Sequence, residues 1–240
     1  MKKVRKCQKL PNIFVFLHLE NKKVMKKLLY DKFDKKKIAD LPRAYFEGKI
    51  VVVVSESEAE RAVDYLLSQD IIGIDTETRP SFRRGTLYKV ALLQVSSRDV
   101  CFLFRLNHIK MCAPVKRLLE DTTVLKVGLS LHDDVTALNK LEKFTPGNFF
   151  DIQDHVSEIG IEDLSLQKIY ANLFGGKISK SQRLTNWEAD ILSDGQKVYA
   201  ATDAWSCIKI YEELQRLEAT GDFELIRQED NVQESISQEG

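Results

Sequence analysis

The chain has 240 residues, which suits one domain with extensions or two small ones, and its 43% apolar and 30% charged residues allow a sizeable core in a soluble protein. No run of 18 or more apolar residues occurs, so no spanning helix and no membrane partner is expected. The formal net charge is zero, but through Lys37 thirteen Lys/Arg stand against three Asp/Glu, so that segment carries +10 and the remainder −10, and a neutral total conceals a basic face.

Lys2, Lys3, Arg5 and Lys6 precede Ile13-Phe-Val-Phe-Leu17, which imitates a secretory signal. The apolar part is short and no small-residue cleavage site follows, so residues 1–39 read as a flexible basic extension, with a natural alternative start at Met25. A globular domain is expected over 40–217. Ile50–Val54 is a β-branched strand, and Ser55 or Ser57 caps a helix striped with Ala59, Ala62, Val63, Leu66 and Leu67. Ile71–Glu77 is a second strand, and Thr78–Tyr88, with Pro80, Gly85 and three arginines, is a loop. Lys89–Val95 and Val100–Leu106 are further strands, spaced as an antiparallel meander. The period then changes: a helix over Pro114–Glu120, a strand over Thr123–Leu129, a helix over His132–Leu141, and helical segments over Asp151–Ile159 and Leu164–Phe174. A long helical stretch covers Trp187 to Leu217 with a break near Ser193-Asp-Gly195, and 218–240 is an acidic, disordered tail. Strands first and then alternating strand and helix give an α/β class with a mixed central sheet flanked by helices. Cys7, Cys101, Cys112 and Cys207 lack paired metal spacing and read as reduced thiols of a cytoplasmic protein.

Three stretches carry chemistry. In Ile71-Ile-Gly-Ile-Asp-Thr-Glu77 the two acids are two apart on a strand and share a face, where they repel unless neutralised. Lys126 to Leu138 contains Gly128 and then His132-Asp133-Asp134 at a helix start. Acids there are ordinary complements of the helix dipole, but Val135 and Leu138 would pack beside Asp134, leaving Asp133 as the capping acid and His132 as a polar loop residue. In Tyr199-Ala-Ala-Thr-Asp203 the tyrosine and aspartate share a helix face with small residues between them, and a core tyrosine bonded to its neighbour is the plain alternative. Taken together, Asp75, Glu77, Asp134 and Asp203 are too much charge for a dry core if they converge. They would suit two divalent metals about 4 Å apart that clamp an in-line displacement at phosphorus, with Tyr199 orienting the attacking water or helping to take its proton.

These stretches resemble the three motifs of the DEDD superfamily of 3′–5′ exonucleases, and Tyr199, four residues before Asp203, matches the tyrosine branch that includes ribonuclease D and the Werner helicase exonuclease domain. The resemblance covers about Ile50 to Leu217. It implies a ribonuclease H-like fold, two Mg²⁺ or Mn²⁺ ions held by Asp75, Glu77, Asp134 and Asp203, and a base-like role for Tyr199. The histidine branch would place histidine where Val198 stands. Lys89-Val-Ala-Leu-Leu-Gln94 is similar to the second strand of such domains, and Leu164–Lys168 and Arg183–Trp187 to their connecting helices. With no helicase motifs and no helical RNA-binding domain, a stand-alone domain of Werner type is expected. Arg79, Arg83, Arg84 and Lys89, and a second cluster of Lys177, Lys180 and Arg183, are candidates for phosphate contact; solvated loops are the plain alternative. Trp187 could stack on a base but is better suited to packing. The expectation is removal of nucleotides from a 3′ end, with DNA slightly favoured over ribonuclease D-like RNA processing. The competing class is a silent nucleic-acid-binding module, and retention of all five site residues argues against it. A phosphatase of another fold lacks suitably placed histidines.

Overall fold

The structure is a computed structural model that describes residues 26–83, 85 and 88–227. The signal-like stretch, Met25, Arg84 and 228–240 therefore lie outside the described residues. In chain order the elements are β1 (Lys27–Tyr30), β2 (Lys49–Val53), α1 (Glu56–Leu66), β3 (Ile71–Thr78), β4 (Val90–Ser96), β5 (Val100–Phe104), α2 (Leu106–Ile109) and α3 (Ala113–Glu120). They continue with β6 (Leu125–Gly128), α4 (Leu131–Asn139), β7 (Phe149–Asp151), α5 (Ile152–His155), α6 (Leu166–Phe174), α7 (Asp194–Thr220) and β8 (Phe223–Ile226).

Six strands form one mixed sheet in the order β2-β5-β4-β3-β6-β7. The expected meander is β3-β4-β5, whose neighbours are antiparallel. β2 departs from it by joining β5 in parallel, which α1 permits by carrying the chain from β2 across to the centre of the sheet. β3 occupies the middle, antiparallel to β4 and parallel to β6. Its alternation sorts the two faces. Ile72 and Ile74, with Leu93 and Val95 of β4, are buried in a core shared with α1, α3 and α4. Each such side chain contributes about 1.5–3 kcal/mol on burial. Gly73, Asp75 and Glu77 take the opposite face, which α7 crosses.

Local signals fix the helix ends. Ser55 caps α1 through a reciprocal pair: its hydroxyl accepts from the Glu58 amide, and the Glu58 carboxylate accepts from the Val54 and Ser55 amides at 2.9 and 3.2 Å. Ser193 and Gln196 make the same box at the start of α7. The expected helix from Trp187 is thereby corrected: 187–192 is a turn, and the anticipated break at Ser193 is where the helix begins. The buried Arg105 holds that turn, its guanidinium donating to the carbonyls of Ala189 and, at 3.2 Å, Asp190. Asp151–Ile159 is also corrected. Phe149–Asp151 joins β6 as an edge strand, and only a short helix and a 3-10 turn follow.

The flanks differ from expectation as well. β1 pairs in parallel with β8, Lys27 opposite Phe223 and Tyr30 opposite Ile226, after α7 has run to Thr220 and Gly221 has turned the chain at φ +64°. The chain over 26–39 is thus not a loose extension, nor 218–227 a disordered tail. Leu29 is fully buried, and Phe223 and Leu225 pack on the cluster that contains Leu214 and Leu217. Four-residue strands amid lysines and glutamates are too short to shift local composition, so their pairing was invisible until the tertiary fold closed.

These contacts lead to two predictions. A Cβ built on Gly73 would lie 1.9 Å from the Ala204 carbonyl oxygen, so Gly73→Val should cost about 3 kcal/mol or more in urea unfolding. Wild-type stability in the Gly73→Val protein would show that α7 is not seated through this glycine. Glu213 accepts from Arg216 and from Lys27, which hold its carboxyl down to about 2 from the ordinary 4.5. A lowered folded-state value stabilises above the unfolded one, and that gain is lost as pH falls through 4.5 toward 2. Lys27→Met should therefore unfold at higher pH than wild type in an acid titration followed by circular dichroism.

Candidate active site

The site is assembled by one close approach. Gly73 has no side chain, so the backbone of α7 at Ala204 comes down onto β3. The residue before Ala204 is Asp203, and it meets the strand's two acids. Carboxylate oxygens of Asp75, Glu77 and Asp203 all lie within 4.8 Å of one another. Asp203 is buried. Asp134 joins from the first turn of α4, where the Thr76 hydroxyl donates to its Oδ1 at 2.5 Å. Asp133 is exposed, whereas Asp134 is half-buried on the side of α4 that carries Val135 and the buried Leu138.

The start of α4 is aimed by Asp151 at the end of β7, a residue that the sequence reading took only as a helix start. Its carboxylate accepts from the amides of Ser130 at 2.9 Å and Leu131 at 2.6 Å. Ser130 adopts a left-handed conformation, φ 61° and ψ 38°, that turns the chain from β6 into α4. The only hint in the sequence was an aspartate at a strand-to-helix junction, a common capping pattern.

Electrostatics follow from the crowding. Burial first, and then Asp134, Asp203 and Glu77, push the Asp75 carboxyl well above the usual range. Burial, Asp203 and Asp134 raise Glu77 to about 8, against the pull of Arg183 and of a hydrogen bond from Tyr199. Burial raises Asp134 to about 6 despite the Thr76 bond, and Asp203 to about 7 despite Tyr199 and Lys180. Burial and then Asp203, Glu77 and Asp75 push the Tyr199 phenol upward, so it stays protonated at neutral pH. Trp187, wholly buried, packs beside it with ring centroids 5.9 Å apart, which supports a packing role for that tryptophan. The donor set is all oxygen and anionic. It fits a hard divalent cation, for which Asp75, Glu77, Asp203 and Asp134 are the available holders.

The basic candidates divide. Lys180 and Arg183 line a cavity of about 280 Å³ together with Tyr199 and Asp203. Lys177 instead donates to the Ala39 carbonyl and pairs its backbone with Pro42 and Ala44, so it braces the chain before β2. Arg79 is 3.2 Å from Glu188 and lies over the Tyr88 ring, tying the loop after β3 to the turn before α7. Arg83 is exposed and lines a separate cavity with Phe82 and Leu184, and Lys89 is exposed just before β4.

An α/β domain that gathers four carboxylates where a helix crosses the central strand defines a nuclease-like class whose acid cluster suits a metal. The family model for 3′–5′ exonucleases matches residues 50–217. The chain belongs to that family, within the DEDD superfamily. Among curated relatives it is 29% identical over 204 residues to the mouse bifunctional 3′–5′ exonuclease/ATP-dependent helicase WRN, covering 80% of this chain and 15% of that one. It is 29% identical over 189 residues to ribonuclease D of Gluconacetobacter diazotrophicus, covering 77% and 47%. The chain thus spans less than half the length of either. The solved EXO domain of Aedes aegypti Nibbler superposes with a TM-score of 0.68 at 18% identity, covering 75% of this chain and 95% of that domain. The fold is ribonuclease H-like.

The raised carboxyls dictate a pH response. Acids whose folded values (about 6 to 8) exceed their unfolded ones (near 4) bind more protons when folded, so metal-free stability should fall as pH rises from about 4 to 8. Thermal melts in chelator should show a lower Tm at pH 8 than at pH 5, and Mn²⁺ should raise Tm more at pH 8. A metal-free Tm that climbs across this range would refute the convergence of the acids.

Proposed function

We propose that the protein hydrolyses phosphodiester bonds one at a time from the 3′ end of a nucleic acid strand, with two Mg²⁺ or Mn²⁺ ions held by Asp75, Glu77, Asp134 and Asp203. The observation that carries this reading is the meeting of three buried or half-buried carboxylates within 4.8 Å at the strand–helix junction, with a fourth pinned alongside by Thr76. When bound, the cations supply the positive charge that activates water and stabilises the departing oxygen. The chain's own groups do the rest. Tyr199, which lies beside Asp203 and Glu77, is the group to orient the attacking water or help to take its proton. Lys180 and Arg183 line the adjoining cavity and are the side chains placed to take the terminal phosphate oxygens. Arg83 and Lys89, both exposed, remain candidates for the strand further from the 3′ end.

DNA is placed slightly ahead of RNA, a reading supported by the likeness to DNA polymerase I of Aquifex aeolicus, 29% identical over 151 residues. RNA 3′-end processing is the second reading, favoured by the likeness to ribonuclease D. The buried thiols of Cys101 and Cys207 suit a reducing compartment, and on that ground we place the protein in the cytoplasm.

Incubation with 5′-labelled single-stranded DNA and RNA in Mg²⁺, Mn²⁺ or chelator should give a metal-dependent ladder that shortens from the 3′ end. Asp203→Asn should lower the rate by more than about 100-fold, since even outer partners of metal ligands cost about 10–100-fold. Tyr199→Phe should lower it by about 10–100-fold, at or below the low end for a proton-handling group. A full wild-type ladder from the Asp203→Asn protein would sink the assignment. The absence of a ladder on either polymer, with metal bound, would favour the silent binding module.

A further inference from the structure

Gln94 lies on β4 in register with Asp75 of β3. Directly opposed residues of an antiparallel pair point to one face, with Cβ atoms about 4.5–5.5 Å apart. That face is the one α7 covers, since the pairs on either side are Gly73 with Ser96 and Glu77 with Leu92. Gln94 is fully buried, and neither its amide nitrogen nor its amide oxygen has a hydrogen-bond partner. Buried amides are nearly always paired, and an apolar side chain of the same length would fill this space without leaving polar atoms stranded.

The neighbour explains why an amide is there. Asp75 stands among other carboxylates, within 4.8 Å of those of Glu77 and Asp203, with Asp134 held alongside by Thr76. A lysine or arginine in place of Gln94 would neutralise the cluster and compete with a cation. An amide offers a hydrogen-bond donor without charge. We propose that Gln94 is a positioning residue for the acid cluster: in the cation-loaded protein its side-chain amide donates to the Asp75 carboxylate from the neighbouring strand and holds it in the orientation that binds the metal. This rests on the metal-dependent nuclease reading above.

The test is titration of Mn²⁺ alone into the full chain by calorimetry, for wild type, Asp75→Asn, Gln94→Met and Gln94→Asn. Asp75→Asn should lose binding. Gln94→Met keeps the volume and removes the stranded atoms, so its metal-free Tm should equal or exceed wild type, while Mn²⁺ affinity falls by about tenfold or more, the scale for residues that orient ligands. Exonuclease assays should show the half-saturating Mg²⁺ concentration rising by the same factor, with most of the rate recovered at saturating metal. Gln94→Asn, whose amide is drawn back by one methylene, should weaken binding similarly and carries the test if the Gln94→Met protein fails to fold. Affinities within about twofold of wild type in the Gln94 variants, with Asp75→Asn inactive in binding, would overturn the role of Gln94 alone, since they fall well short of the loss expected for an orienting residue. Unchanged binding by Asp75→Asn would remove the metal site and this proposal with it.

Discussion

The seating of α7 on β3 is the contact on which the rest of the molecule depends. At Gly73 the strand offers no side chain, and the carbonyl of Ala204 fills the space a Cβ would need. Because the helix backbone itself touches the sheet, the residues around Ala204 have fixed positions relative to the strand. Asp203 falls against Asp75 and Glu77, and Tyr199 lies one turn earlier beside the same acids. Ala200 and Ala201, both fully buried, keep the approach close over that turn. A larger residue at any of these positions would lift the helix and separate the charges it brings together.

That closeness sets packing against electrostatics. Apolar burial on both faces of β3 drives the sheet and helix together, while the carboxylates they carry repel in a space of low dielectric. The protein relieves this only partly, through Tyr199, Lys180, Arg183 and the Thr76 hydroxyl. Residual repulsion of this kind is a local rule broken within a well-packed fold, and such violations concentrate at functional sites. A divalent cation bound among these acids would turn the same arrangement from a liability into a binding site.

Around the acids, the chain is aimed by side chains that grip backbone rather than by regular structure. Asp151 takes the two amides at the start of α4, and Arg105 takes two carbonyls in the turn before α7. Arg79 links the loop after β3 to that same turn through Glu188. Each of these bonds joins segments distant in sequence.

Much of the site was legible in the sequence because it is built on local periodicity. Asp75 and Glu77 share a strand face by the alternation of two, Tyr199 and Asp203 share a helix face by the spacing of four, and Val135 and Leu138 pointed to Asp134 over Asp133. The same periodicities gave the strands and helices of the central domain and their α/β class. What the tertiary structure decided were the facts that depend on pairing across long separations. The flanks were read as loose because lysines and glutamates dominate their composition, yet Leu29 and Leu225 close β1 against β8. Arg79 and Lys177 were only candidates for phosphate contact, because a cation in a loop looks free in the sequence, whereas in the fold Arg79 pairs with Glu188 and Lys177 donates to the Ala39 carbonyl. The stranded amide of Gln94 opposite Asp75 is of the same kind. Periodicity is a property of the chain itself, whereas partners, burial and register exist only once distant segments have met.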